Sequence, residues 1–210
     1  VELGRYLAAS IPDAEMVELR GDDHLHFVGD SAAVIDEVQA FVTGVRPVPE
    51  ADRVLTTVMF TDIVASTRRA AEVGDRRWRD LLDGHDALVR RVIGRFGGRE
   101  IDHAGDGFFV QFSSPASAIR CAKELLAGVR QLGLEVRVGV HTGECEVRDD
   151  GLGGIAVHIG ARVSGLAGAG EVLVSSTVKE LVTGSGLEFS DRGVHQLKGV
   201  PDPVRVFAAV

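Results

Sequence analysis

Only two cysteines occur among the 210 residues, Cys121 and Cys145. That excludes a disulfide framework, and a reducing compartment is the expected setting. With His141 the two thiols could form a zinc set, but no CxxC or HxxxH pair supports one. Basic charge is also short: 23 Lys and Arg stand against 31 Asp and Glu, a net charge of −8 at pH 7. Nucleic-acid binding normally needs a basic face, so that partner class is disfavoured. No apolar run is long enough to cross a membrane, which takes about 18 to 20 residues. The opening VELGRYLAAS has neither the basic nor the apolar region of a secretory signal, and no Met. The expectation is a cytoplasmic chain excised from a longer one. Internal repeats and low-complexity tracts are absent as well.

What is present is ordinary globular composition, 45% hydrophobic and 26% charged. The length suits one good-sized core, or one domain with an appendage. A seam with two prolines and mixed charge, VRPVPEADR at 45–53, follows Gly44 and reads as a linker. Before it, EMVELR reads as a short strand and GDDHLHFVGD as a loop. SAAVIDEVQAFVTG then carries a helical stripe of Val34, Ile35, Val38, Phe41 and Val42, with Ser31 as its N-cap.

After the seam the pattern alternates. VLTTVMFTDIV is a strand. Residues 66 to about 96 are helical, broken near Gly74, and stop at Gly97-Gly98. REIDHAGDGFFVQF reads as two strands joined by a tight turn at GDG. SPASAIRCAKELLAGVRQLG has a Ser-Pro helix entry, and LEVRVGVHTGECEVR is a long alternating strand. A Gly-rich loop, the helix IAVHIGARVSGLA, the strand EVLVS, the short helix STVKELVT and a terminal strand pair complete the order. This order predicts an α+β sandwich of the ferredoxin-like kind, with a short strand–helix extension in front.

The strand VMFTDIV carries the chain to one acid, Asp62. A carboxylate at the tip of a buried strand needs a cation, a metal or capped N–H groups. A second acid, Asp106, sits in the GDG turn, where flanking glycines let backbone and ligand approach closely. If the strand ending at Asp62 lies beside this hairpin, both acids meet at one sheet edge. With the Ile63 carbonyl they would form a hard-oxygen site for Mg²⁺ or Mn²⁺. Either aspartate alone suits a simpler role, Asp62 as a helix cap and Asp106 as a turn residue.

Five motifs, FTDIVAST, HAGDGFFVQF, VRVGVHTG, GGIAVHIGARV and LKGVPDPVRVF, occur in one order over residues 54–210. In that order and spacing the chain resembles the class III nucleotide cyclase catalytic domain. The resemblance implies a head-to-tail homodimer with active sites at its interface. It implies conversion of a nucleoside triphosphate, ATP favoured, to its 3′,5′-cyclic monophosphate and pyrophosphate. It further implies two Mg²⁺ or Mn²⁺ ions per site held by Asp62, Ile63 and Asp106. Arg162 would face the transition state from the other chain, and Arg137 and Lys198 would contact the outer phosphates. Read alone, Arg137 is an outward strand residue and Lys198 a loop charge.

Three positions depart from the family pattern. His158 stands one helical turn before Arg162 where the family usually has Asn. A histidine can still donate a hydrogen bond there, with pH sensitivity near neutrality. Asp102 stands where adenylyl members usually carry Lys. An acid at that position is the guanylyl pattern, although it can also accept from the adenine amine. The base-reading Asp falls at about Gly151, with Asp149 and Asp150 beside it; Asp150 is the expected substitute. Guanylyl or dual specificity is therefore the alternative.

Residues 1–44 resemble the C-terminal end of an α/β-hydrolase, with His24 at the triad histidine. No G-x-S-x-G elbow occurs, so no hydrolysis is expected from a hydrolase remnant of this size. A rival of another class is a low-activity regulatory module that binds nucleotide. HAGDGFF is not the hairpin a diguanylate cyclase needs, and the acidic, small chain disfavours polymerase chemistry.

Overall fold

The computed structural model describes residues 2–19, 31–45, 53–148 and 151–210. They belong to two compact units, Val1–Glu50 and Ala51–Val210. In the first unit, α1 (Glu2–Ser10) and α2 (Ser31–Thr43) are the regular elements among the described residues. The helix expected after Ser31 is there. The strand expected from EMVELR is not: residues 14–19 have no regular structure. A strand is stable only when its N–H and C=O groups find a ladder, and the described residues of this unit offer none. Helix α1, which the sequence reading did not anticipate, precedes this segment, and Arg5 on it pairs with Glu18 at 2.6 Å. His24 lies outside the described residues.

The second unit runs β1 (Arg53–Ile63), α3 (Ser66–Val73), α4 (Asp75–Arg95), β2 (Arg99–Ala104), β3 (Gly107–Phe112), α5 (Pro115–Gln131), β4 (Val136–Arg148), β5 (Gly151–Gly153), α6 (Ile155–Leu166), β6 (Val172–Ser175), α7 (Ser176–Leu181), β7 (Phe189–His195) and β8 (Val204–Ala209). Its sheet has the order β2-β3-β1-β4-β6-β8-β7, with β5 paired to β4. Every pair is antiparallel except β4 with β6. This is the α+β architecture expected from the alternation of elements.

Local chemistry sets the boundaries. Gly74, at φ 80°, separates α3 from α4, and Gly97, at φ 70°, follows the end of α4. Ser114 caps α5: its Oγ accepts the Ser117 N–H at 3.3 Å, with Pro115 in the first turn. One sheet face packs on α4 and α5, burying Met59, Phe108, Val110, Phe112, Ile119, Leu125, Val138 and Val140. The other face takes α6 at very close range. A Cβ on Gly139 would fall 2.1 Å from the Ser164 nitrogen, and one on Gly160 2.8 Å from Val58 Cγ2. Absent side chains at these positions are what let this helix lie on the strands.

Cys121 belongs to the core under α5, whereas Cys145 packs with Val58 and Ala156 on the α6 side. The sheet therefore separates the two thiols. Burial pushes the Cys121 thiol up to about 12, unsuited to a metal thiolate. His141 is buried with its Nδ1 2.7 Å from Ser175 Oγ. The zinc set considered from composition is not assembled.

Candidate active site

The two acids singled out from the sequence lie at the same end of neighbouring strands. β1 pairs with β3 in a register that sets Thr61 opposite Phe108, so Asp62 lies one step from the Gly105-Asp106 turn. Gly107 sits tight against β1, where a Cβ would fall 3.0 Å from the Thr61 carbonyl oxygen. The Phe108 N–H donates to Thr61 Oγ1 at 3.2 Å, tying the residue before Asp62 to the second residue after Asp106.

Asp62 is half-buried and pairs across the β1–β4 ladder with Arg137. Arg137 Nε donates to its Oδ2 at 2.8 Å, and Nη2 donates to the same oxygen. Both side chains remain about a third exposed. The helix-cap alternative fails: α3 is preceded by Ala65 at φ 56°, and no side chain caps it. A non-glycine residue held in the left-handed region costs on the order of 1 kcal/mol, and here it lies three residues beyond Asp62.

Asp106 is the unusual group. Its Oδ2 is buried and has no hydrogen-bond partner among the described residues. A simple turn aspartate would accept a nearby N–H instead. A buried acceptor left empty is unfavourable by about 1–3 kcal/mol, and a water or a bound cation would relieve it. Two carboxylates and the end-of-strand residue Ile63 offer hard oxygen ligands, the donor type of Mg²⁺ and Mn²⁺. No cluster of three or more His, Cys, Asp or Glu able to hold a metal occurs among the described residues. The fit is therefore to an ion that takes its remaining ligands from water or from phosphate oxygens.

The cationic residues form a second group. His158 and Arg162 lie one turn apart on α6, both exposed and without a hydrogen bond or ion pair among the described residues. Ile155 and Leu166, 47% and 40% exposed, flank them on the same helix. The opposite side of α6 is the buried one, with Ala156, Gly160, Val163 and Ser164. Lys198 is exposed on the loop between β7 and β8. Its neighbours Leu197 and Val200 pack with Val163 and Ile159, so this loop lies on α6. Neither His158, Arg162 nor Lys198 makes a polar contact to Asp62 or Asp106.

Asp102 is exposed on β2, and its Oδ1 accepts the His103 N–H at 2.8 Å. Gly151 lies against the neighbouring Ile101, where a Cβ would be 3.1 Å from Ile101 Cγ2. Asp150 lies outside the described residues. One cluster near the acids escaped the sequence reading: His85 and Asp86 of α4 and His103 of β2. His85 was legible only as one residue of the helical stretch from 66 to about 96, because nothing in the chain pairs α4 with β2 before the fold does.

Comparison with known proteins decides the family. Residues 48–208 match the adenylate and guanylate cyclase catalytic domain. The chain belongs to this family. It is 33% identical over 140 residues to putative adenylate cyclase 3 of Rhizobium meliloti, covering 62% of this chain and 23% of that one. It is 27% identical over 202 residues to the receptor-type adenylate cyclase GRESAG 4.3 of Trypanosoma brucei brucei, covering 72% of this chain and 16% of that one. The chain thus spans less than a quarter of these relatives. Among solved structures, the adenylyl cyclase CyaB from P. aeruginosa superposes with a TM-score of 0.73 at 24% identity, covering 77% and 96% of the two chains. An adenylate cyclase from Trypanosoma brucei, in its monomeric state, superposes at 0.67 with 27% identity over 74% and 89%. The cyclase domain has the same fold as these neighbours. No helix among its described residues is long and apolar enough to cross a membrane.

Proposed function

We propose that this cyclase domain converts a nucleoside triphosphate, ATP by preference, to the 3′,5′-cyclic monophosphate and pyrophosphate, at a site shared between two copies of the chain. The observation that carries this reading is the division of the polar groups. Asp62, Asp106 and Arg137 lie at one end of neighbouring strands, while Arg162, His158 and Lys198 stand around α6 without a partner among the described residues. Each group lacks what the other supplies.

In the reaction the ribose 3′-hydroxyl gives its proton to water and its oxygen bonds to the α-phosphorus, as the bond from that phosphorus to the β-phosphate oxygen breaks and pyrophosphate leaves. Two Mg²⁺ or Mn²⁺ ions, held by Asp62, Asp106 and the Ile63 carbonyl, would lower the pKa of the 3′-hydroxyl and balance phosphate charge. Arg137, freed from Asp62, turns to the outer phosphates. Lys198 adds a second positive charge there. A second copy presents Arg162 to the oxygens where negative charge builds, and a fixed guanidinium is effective at that point. His158, one turn away, donates to ribose or phosphate. Asp102 and Asp150 accept from the base. The exposed Ile155 and Leu166 give the helix carrying Arg162 an apolar margin suited to burial against the other copy.

Asp102 also supports a guanylyl or dual-specificity alternative, because a carboxylate accepts from guanine N–H groups as readily as from the adenine amine. The test is product formation from ATP and from GTP with Mn²⁺ or Mg²⁺ across protein concentration. Cyclic nucleotide whose specific activity rises with concentration is expected, with more from ATP. Nucleotide bound without turnover would replace this reading with a regulatory binding module.

A further inference from the structure

Beside the acidic edge, α4 and β2 enclose a second polar cluster that the cyclase reading leaves without a role. His85 is fully buried; its Nδ1 lies 3.0 Å from Asp86 Oδ1, and its Nε2 has no partner among the described residues. The other Asp86 oxygen lies 3.2 Å from His103 Nε2, a contact that is an ion pair only when the imidazole is protonated. Arg90 Nη1 is 3.7 Å from the same oxygen, and Arg90 also pairs with Glu100 of β2 at 2.9 Å. One carboxylate on α4 thus faces three basic groups, one of them on β2.

The cluster reaches the metal turn through a short path. His103 sits opposite Phe108 in the β2–β3 hairpin, the two residues bracketing Asp106. The rings of His103 and Phe108 are 4.3 Å apart, those of His85 and Phe108 are 5.8 Å apart, and the Arg90 guanidinium lies 5.2 Å over Phe108. Phe108 is buried, and its N–H is the one held by Thr61 Oγ1, next to Asp62. A hairpin turn with glycines on both sides of its acid has little stiffness of its own. Its direction must come from whatever fixes the two arms.

We propose that Asp86, acting through His103 and His85, is a positioning group for the Asp106 turn and thereby sets the affinity of the acidic edge for a divalent cation. The proposal rests on the cyclase reading only in taking Asp62 and Asp106 as the ligands. Asp86 touches no reacting atom. It holds the β2 arm to α4, so that Asp106 Oδ2 stays aimed at the ion rather than relaxing to a neighbouring N–H. Groups that orient a metal's ligands typically change its affinity by 10- to 100-fold when removed.

The test is Mn²⁺ binding to the whole chain without nucleotide, read from the electron paramagnetic resonance signal of the free ion. Asp86→Asn keeps the shape and removes the charge. His103→Leu keeps the contact with Phe108 and removes the link to Asp86. Asp62→Ala is the control for the site itself. The expected result is a Kd for Mn²⁺ weakened about tenfold in both variants, with circular dichroism unchanged. A purely structural cluster would lower the melting temperature and leave the Kd alone, and that result would overturn the proposal. If Asp86→Asn does not fold, His103→Leu decides in the same terms. Wild-type binding no tighter than that of Asp62→Ala would overturn the metal assignment, and this proposal with it.

Discussion

Asp106 is where function and stability pull in opposite directions. Its buried, empty oxygen is unfavourable in the free chain and useful only when something binds. Asp106→Ala should therefore remove turnover, by at least about 100-fold, on the scale of losing a catalytic metal's ligand. It should also stabilise the ligand-free fold by about 1 kcal/mol, which is a rise of roughly 2–4 °C in melting temperature for a domain of this size. Full activity in this variant would contradict the metal assignment, and a lower melting temperature would contradict the account of the orphan oxygen. His141 gives a second residue-level expectation. Burial lowers its pKa to about 4, so the folded chain keeps it neutral while the unfolded chain protonates near 6.5. The unfolded state then binds the extra proton, and stability falls as pH drops from about 6.5 to 4 and levels off below that. The loss is on the order of 3 kcal/mol. Urea midpoints at pH 7 and pH 4.5 should fall further in the wild type than in His141→Gln; equal falls would remove this explanation.

At the scale of elements, α6 depends on the glycines beneath it. Its sheet-facing side is so close to β4 that a single methyl on Gly139 collides with the Ser164 backbone. Backbone does not move aside as a flexible side chain can, so overpacking there should lose about 3 kcal/mol. Gly139→Ala should thus melt roughly 10 °C lower and lose activity although Arg162 and His158 are intact. Calorimetry together with an assay at a temperature where the variant is folded checks both halves. Wild-type melting would mean that α6 is not held as tightly as the strand–helix contact implies. Much of this frame was readable beforehand. The apolar run before Asp62, the glycine at 74, the GDG turn and the Ser-Pro entry to α5 are local signals, and each element formed where its signal lay. What failed was EMVELR, whose alternation of polar and apolar residues looks like a strand but which has no ladder to join. What was missed depends on contacts distant in sequence. The burial of Asp106 Oδ2, the bond from Phe108 to Thr61 and the meeting of Asp86 with His103 arise only when strands and α4 come together. The Asp62–Arg137 pair is similar: both residues were picked out, for different tasks, before the β1–β4 register put them side by side.

For the molecule as a whole, the proposed site makes the number of copies part of the chemistry. Among the described residues, Asp62 and Asp106 make no polar contact with Arg162, and Arg162, His158 and Lys198 have no anionic partner. The match covers 23% and 16% of the length of the two adenylate cyclase relatives described above. The central claim is that each active site takes its acids from one chain and Arg162 from another. Its most direct test mixes an Asp106→Ala chain with an Arg162→Ala chain, each inactive alone, and measures cyclic nucleotide formed by the verified heterodimer. The shared site predicts recovered activity, because one of the two sites in the mixed dimer then has every group it needs. An inactive heterodimer of folded chains would contradict it.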